Sequence, residues 1–143
     1  MTISIGGDHA GFEYKEKIIF LLSDMGHSVI DHGPFSEESV DYPDYVKKVA
    51  ETVISGVATY GIVICGSGNG VAMTANKFPE IRAALCWNPE LAALGRGHNN
   101  ANVLAIPARF IDFDVAAEMV KVFLETEFEG GRHQRRVDKI SCC

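Results

Sequence analysis

A cysteine that precedes a glycine-rich loop is the most reactive pattern in this sequence of 143 residues. Cys65 is followed by Gly66-Ser67-Gly68-Asn69-Gly70, and glycines leave backbone amides open to an anion at the start of a helix. A helix N-terminus also stabilises a thiolate, so Cys65 could act as a base or a nucleophile. The GxGxG spacing matches neither a dinucleotide fingerprint nor a Walker loop. A buried cysteine at a strand end is the alternative.

Two histidines stand where acid–base chemistry is possible. Asp8-His9 follows a short apolar run, so a carboxylate and an imidazole would face one crevice. A helix cap beside a surface histidine is the alternative for this pair. His98 lies in a polar stretch next to Asn99, where a solvent-exposed loop histidine is the alternative. His98 is therefore a candidate acid that needs other residues to support it.

The end of the chain carries a basic patch. Arg132 and Arg136 are four residues apart, so on a helix they share a face. Two guanidinium groups on one face have the forked geometry that suits a phosphate dianion. The alternative is a solvated tail that pairs with acidic residues just upstream, which are Glu125, Glu127 and Glu129.

Short apolar runs alternate with helical patterns along the chain, and this alternation predicts the fold. The five predicted strands begin near Ile3, Ser28, Gly61, Ile81 and Val103. We predict a single α/β domain over residues 1–143, with three α/β/α layers and a Rossmann-like five-stranded parallel sheet in the order 2-1-3-4-5. Such sheets bind ligands at the carboxyl ends of their strands. We therefore expect the thiol, the acid–base histidine and the basic patch at that edge.

Composition and charge exclude several classes of protein. The apolar share of 47% and the charged share of 22% are typical of a soluble globular protein. No apolar run approaches the roughly 18 residues of a membrane helix, and no secretory signal is visible, so we expect a cytoplasmic protein without a membrane partner. A net charge of −6 argues against nucleic-acid binding.

The cysteine spacing predicts neither disulfides nor a metal site. The four cysteines stand at positions 65, 86, 142 and 143, without a CxxC pair or zinc-like spacing to histidine. We expect four reduced thiols. Cys86 lies in an apolar run and is expected in the core.

Six segments together resemble the ribose/galactose/allose phosphate isomerase family, which includes the type B ribose-5-phosphate isomerases. The resemblance covers residues 3 to about 140 in family order. The segments are Gly7–Gly11, Asp41–Pro43, Cys65–Gly70, Ala75–Lys77, His98–Asn102 and Arg132–Arg136.

The resemblance implies an aldose–ketose isomerase that converts ribose 5-phosphate to ribulose 5-phosphate through a cis-enediolate, without a metal or another cofactor. Cys65 would move the proton between C2 and C1, and His98 would open the furanose ring. Ser67 would hydrogen-bond the reacting hydroxyl groups, and Asp8 would hold the sugar hydroxyl opposite His98.

The resemblance also implies the residues that bind a sugar phosphate. Those expected to stabilise the oxyanion, line the sugar or hold the phosphate are Gly66, Gly68, Asn69, Gly70, Asn99, Tyr42, His9, Arg109, Arg132 and Arg136. The family site forms between two subunits, so we expect a homodimer, with a tetramer left open. Alternatives are a six-carbon substrate such as allose 6-phosphate or galactose 6-phosphate, a non-catalytic sugar-phosphate-binding protein and a flavodoxin-like nucleotide binder.

Overall fold

The strands and helices alternate along the chain as predicted. The computed structural model describes residues 1–141, and the thiols predicted at positions 142 and 143 lie outside them. The strands are β1 (Thr2–Gly7), β2 (Ser28–Asp31), β3 (Tyr60–Cys65), β4 (Ala83–Leu85) and β5 (Val103–Pro107). The helices are α1 (Phe12–Asp24), α2 (Tyr42–Ile54), α3 (Asn69–Ala75), α4 (Pro89–Gly97), α5 (Phe113–Glu125) and α6 (Arg132–Ile140), with a 3-10 turn at His9–Gly11.

The five strands form one parallel sheet in the order β2-β1-β3-β5-β4. The α/β fold is confirmed, but the predicted order of the last two strands is wrong. All five residues of β5 are buried, whereas the three residues of β4 are half-buried. A fully apolar strand is stable between two neighbours, and a short strand suits the edge of a sheet. Burial therefore explains why β5 lies between β3 and β4.

Helices cover both faces of the sheet and enclose two apolar clusters. On one face, α1 and α5 bury Ile18 and Phe123 against Ile62 and Ile64 of β3. On the other, α2 and α3 pack against the alternate strand residues, among them Cys65. Successive strand residues point to opposite faces, so this alternation places the thiol on the α2 and α3 side. Within residues 1–141, no helix is both long enough and apolar enough to cross a membrane.

One buried cation connects α1 to β2. The side chain of Lys15 is 1% exposed, and its Nζ lies 2.8 Å from both Asp31 Oδ2 and Glu16 Oε1. The Asp31 carboxylate also accepts a hydrogen bond from the Gly33 N–H at 2.8 Å. Because a buried charge is costly unless it is paired, this contact fixes the position of α1 relative to β2.

Candidate active site

The turn after β1 lies directly on the end of β3. A Cβ added at Gly7 would lie 2.0 Å from the carbonyl oxygen of Ile64, and one at Gly11 would lie 2.7 Å from it, so only glycine permits this approach. The Asp8 carboxylate accepts hydrogen bonds from the Ala10 N–H at 2.9 Å and the Gly11 N–H at 3.3 Å. Asp8 thus caps the turn, which is the alternative interpretation of the Asp8-His9 pair. Asp8 also lies beside the end of β3.

Cys65 is the last residue of β3 and is 6% exposed. Its Sγ accepts a hydrogen bond from the Gly68 N–H at 3.2 Å. Gly68 has a φ of +76°, and a Cβ there would lie 2.4 Å from the side chain of Leu85. The glycine therefore lets the loop turn a backbone amide towards the sulfur.

Arg109 is placed over the glycine loop by the end of β5. The N–H of Ala108 donates to the Cys65 carbonyl at 2.9 Å, and the N–H of Arg109 donates to the Gly66 carbonyl at 3.0 Å. A Cβ on Gly66 would lie 3.1 Å from Cδ of Arg109. The exposed guanidinium is therefore held beside the loop that carries the thiol.

Tyr42 and His9 complete the wall opposite the thiol. Tyr42 begins α2, and its ring lies against Gly70. The Nδ1 atom of His9 accepts a hydrogen bond from the Val40 N–H at 3.2 Å. The neutral His9 ring therefore carries its proton on Nε2, which leaves that nitrogen as a donor for a ligand.

These residues enclose a concave site of about 420 Å³, which we call the thiol cleft. It brings together most of the residues predicted from the sequence. Gly68 lies buried behind the thiol, and Asn69 is exposed on the adjacent rim. The lining residues are Asp8, His9, Ala10, Tyr42, Cys65, Gly66, Ser67, Gly70, Arg109 and Phe110.

The other predicted residues lie in a second concave site of about 510 Å³, which we call the histidine cleft. It shares no lining residue with the thiol cleft. Its polar lining consists of His98, Asn99, Arg132, His133 and Arg136.

The expectation that His98 and the tail arginines share the carboxyl edge of the sheet with Cys65 is wrong for a single chain. In a parallel sheet, α4 must run back from the carboxyl edge to the amino edge. The segment after His98 confirms this direction, because the Asn102 N–H donates to the Arg82 carbonyl, just before β4, at 3.0 Å. The end of α4 therefore places His98 away from the thiol.

His98 is in contact with two residues for which no sequence pattern predicts a catalytic role. Its Nε2 lies 3.0 Å from Oε2 of Glu129, and its ring stacks on that of His133 with centroids 4.1 Å apart. Partial desolvation, followed by the nearby His98, lowers the pKa of His133. The sequence indicates Glu129 only as a partner for the basic tail. In the structure Arg136 instead donates to the Arg132 carbonyl at 3.2 Å. No sequence pattern marks the contact between Glu129 and His98.

Among residues 1–141, one group of side chains has the spacing to hold a metal ion. The ligand atoms of His98, Glu129 and His133 lie within 4.8 Å of one another.

The thiols of Cys65 and Cys86 are both free. Burial raises the pKa of Cys86 to about 11, so this thiol stays protonated at neutral pH. Cys86 is therefore the core cysteine that the sequence predicts.

Comparison with known proteins gives consistent matches over the whole chain. A sequence model of the Ribose/Galactose Isomerase family matches residues 3–140. Ribose-5-phosphate isomerase B of Escherichia coli is 45% identical over 139 residues, which cover 97% of this chain and 93% of that protein. The structure of a ribose 5-phosphate isomerase from Thermotoga maritima has a TM-score of 0.97 at 51% identity, covering 99% of this chain and 98% of that chain.

A further solved structure, ribose-5-phosphate isomerase B from Mycoplasma genitalium, has ribulose 5-phosphate bound. It has a TM-score of 0.94 at 43% identity and covers 99% of this chain and 94% of that chain. The fold and these relatives define an aldose–ketose isomerase. The chain belongs to the ribose/galactose isomerase family, as the sequence motifs indicate.

Proposed function

We propose that this protein interconverts ribose 5-phosphate and ribulose 5-phosphate, with Cys65 as the base. The observation that carries the proposal is the Cys65 thiol in the wall of the thiol cleft, with the Gly68 N–H 3.2 Å from its sulfur. The carboxylate of Asp8 and the hydroxyl of Ser67 line the same cleft. Relatives named ribose-5-phosphate isomerase B support this choice of sugar.

The chemistry follows from the groups around the thiol. The thiolate of Cys65 takes the proton from C2 of the open-chain aldose, and the electron pair moves onto the C1 carbonyl oxygen to form the enediolate. Amides of the 66–70 loop stabilise the charge on that oxygen. Cys65 then returns the proton to C1, while the proton of the C2 hydroxyl moves to the C1 oxygen. The hydroxyl of Ser67 hydrogen-bonds these oxygens during the transfer.

We further propose that two copies of the chain complete each site. The thiol cleft holds Arg109 and His9 for the phosphate, but His98, Arg132 and Arg136 lie in the histidine cleft. In a homodimer the histidine cleft of one subunit would face the thiol cleft of the other.

An apolar surface beside the thiol cleft supports this assembly. Phe110 is 75% exposed and Trp87 is 57% exposed, and together with Leu85 and Pro107 they line a hollow on the rim. Exposed aromatic clusters of this kind are typical of protein interfaces.

Deuterium exchange tests the reaction directly. The purified protein is incubated with ribose 5-phosphate in D₂O that contains EDTA, and carbon-bound deuterium is followed by NMR. Deuterium at C2 of the aldose or C1 of the ketose is expected, since both arise from one enediolate. Exchange only into allose 6-phosphate or galactose 6-phosphate would show that the substrate is a six-carbon sugar phosphate instead of ribose 5-phosphate. If none of these sugars exchanged, the protein would be a sugar-phosphate-binding protein without catalytic activity.

Subunit mixing tests the shared site. Cys65→Ala and His98→Ala proteins should each be inactive, but a mixed dimer would contain one site with both native residues. Two-fold symmetry with random exchange then predicts about a quarter of the native activity. The absence of recovery, once mass spectrometry shows that subunits have exchanged, would place both residues in one subunit's site.

A further inference from the structure

We propose that Glu129 is a positioning residue that holds His98 in the orientation needed to open the sugar ring. The inference rests on the proposed function, in which His98 is the ring-opening acid. Its basis is the contact of 3.0 Å between Oε2 of Glu129 and Nε2 of His98.

The backbone fixes Glu129 against the end of α4. Its N–H donates to the Gly97 carbonyl at 3.0 Å. A Cβ on Gly97 would lie 2.9 Å from Oε2 of Glu129, so glycine leaves the space that the carboxylate occupies. Carboxylate and imidazole are thus held by two adjoining pieces of backbone.

A buried guanidinium fastens the same two segments together. Arg96 is 5% exposed, and its Nη1 donates to the Ala101 carbonyl at 2.6 Å, beyond His98. Its Nε donates to the Thr126 carbonyl at 3.4 Å, in the loop that leads to Glu129. The guanidinium also lies over the rings of Tyr60 and Phe123, at 4.7 Å and 5.8 Å from their centroids. A buried side chain therefore connects the two backbone segments that carry His98 and Glu129.

The contact with Glu129 determines which nitrogen of His98 can exchange protons with the substrate. With Nε2 paired to the Glu129 carboxylate, the proton available to the substrate is the one on Nδ1. Arg132 and Arg136 line the same cleft, and Glu129 is the acidic group in contact with His98.

Ring opening through this nitrogen is balanced. The bond between C1 and the ring oxygen breaks, and its electron pair goes to that oxygen, which takes the Nδ1 proton. The C1 hydroxyl loses its proton to water or to Asp8 as the carbonyl forms. His98 ends the step neutral and regains a proton from solvent.

Substrates with and without a ring separate this role from a structural one. Ribose 5-phosphate is cyclic, whereas ribulose 5-phosphate is open because its phosphate occupies the oxygen that would close a furanose. Glu129→Gln should lower kcat for ribose 5-phosphate on the order of tenfold or more, with KM little changed, because it weakens the general acid. Solvent-deuterium exchange into C1 of ribulose 5-phosphate, which needs Cys65 but no ring opening, should stay near the native rate.

The matched control is Glu127→Gln, an exposed glutamate on the same loop, which should leave both rates native. All assays contain EDTA, so that a metal ion on His98, Glu129 and His133 cannot contribute. Glu129→Asp should recover part of the forward rate. Equal losses of the forward and exchange rates would show that Glu129 has a structural role. An unchanged forward rate would show that Glu129 does not take part in ring opening. Absence of exchange in the native protein would instead overturn the proposed function.

Discussion

The ring of Tyr42 lies directly on Gly70, so that a Cβ at residue 70 would be 2.3 Å from Cε1 of the tyrosine and 2.6 Å from its hydroxyl oxygen. Tyr42 is the first residue of α2, and Gly70 is in the first turn of α3. The absence of a side chain at one position therefore sets where the phenol of the other lies in the thiol cleft.

Gly70→Ala should disturb the thiol cleft without unfolding the chain. Alanine favours a helix by up to about 1 kcal/mol over glycine, but here it must displace the tyrosine ring. We expect kcat/KM to fall about tenfold, which corresponds to about 1.4 kcal/mol. A double-mutant cycle with Tyr42→Ala measures the coupling. If Gly70→Ala costs as much without the tyrosine as with it, this contact is not the cause.

Cys65→Ala should remove proton transfer and leave binding intact. A general base contributes on the order of 10²- to 10⁴-fold, so kcat should fall within that range. Affinity for ribose 5-phosphate, measured by calorimetry, should change little because the phosphate contacts remain. Deuterium exchange should disappear together with turnover. Near-normal turnover would show that another group is the base.

Arg136→Ala should weaken recognition of the phosphate. A hydrogen bond to a charged group contributes about 1.5–3 kcal/mol, so kcat/KM for the phosphorylated sugar should fall about 10- to 100-fold. Weak activity on free ribose should not change. The control is Arg135→Ala, which removes the same charge from the same helix but does not line the histidine cleft. Equal losses on both sugars would make Arg136 structural.

Asp31→Ala should destabilise the fold far more than the loss of the second acid that contacts Lys15. Removing the partner of a buried charge costs about 3–5 kcal/mol. Glu16 is half exposed, so Glu16→Gln should cost less than about 1 kcal/mol. Urea denaturation measures both variants. Similar losses for the two variants would mean that Asp31 does not stabilise the lysine as the geometry suggests.

His32 should make stability depend on pH in mildly acidic solution. Burial, followed by Lys48, lowers the pKa of His32, whose Nε2 lies 3.0 Å from Oγ1 of Thr52. The unfolded chain therefore binds a proton more readily, and the free energy of unfolding should decrease as the pH falls below about 6.5. His32→Gln should reduce this slope in denaturation experiments between pH 7 and pH 5. An unchanged slope would assign it to other groups.

The sequence predicted the thiol cleft more closely than the histidine cleft, for a physical reason. Asp8 directly follows β1 and Cys65 ends β3, and both strands have recognisable sequence patterns, so their shared edge follows from a parallel sheet. His98 follows a helix, α4, rather than a strand, and a helix between two parallel strands returns to the amino edge, so His98 does not share the edge with Cys65. The contact between His98 and Glu129 depends on the path of the loop before α6, which no residue pattern describes.

The strand order shows the same limit. The apolar run of β3 correctly predicts a central strand buried on both faces. The alternation of strands and helices does not specify whether β4 or β5 joins β3. Only the contrast between the fully buried β5 and the short β4 could have indicated the order.

The position of β5 also has a consequence for the order in which the sheet can assemble during synthesis. β4 leaves the ribosome before β5, yet β5 is the strand to which it is hydrogen-bonded. A nascent chain that ends before Val103 can therefore pair β2, β1 and β3, but it does not yet contain β5, the strand that pairs with β4. The sheet is complete only when β5 pairs between β3 and β4. The same pairing brings the amide of Ala108 onto the carbonyl of Cys65.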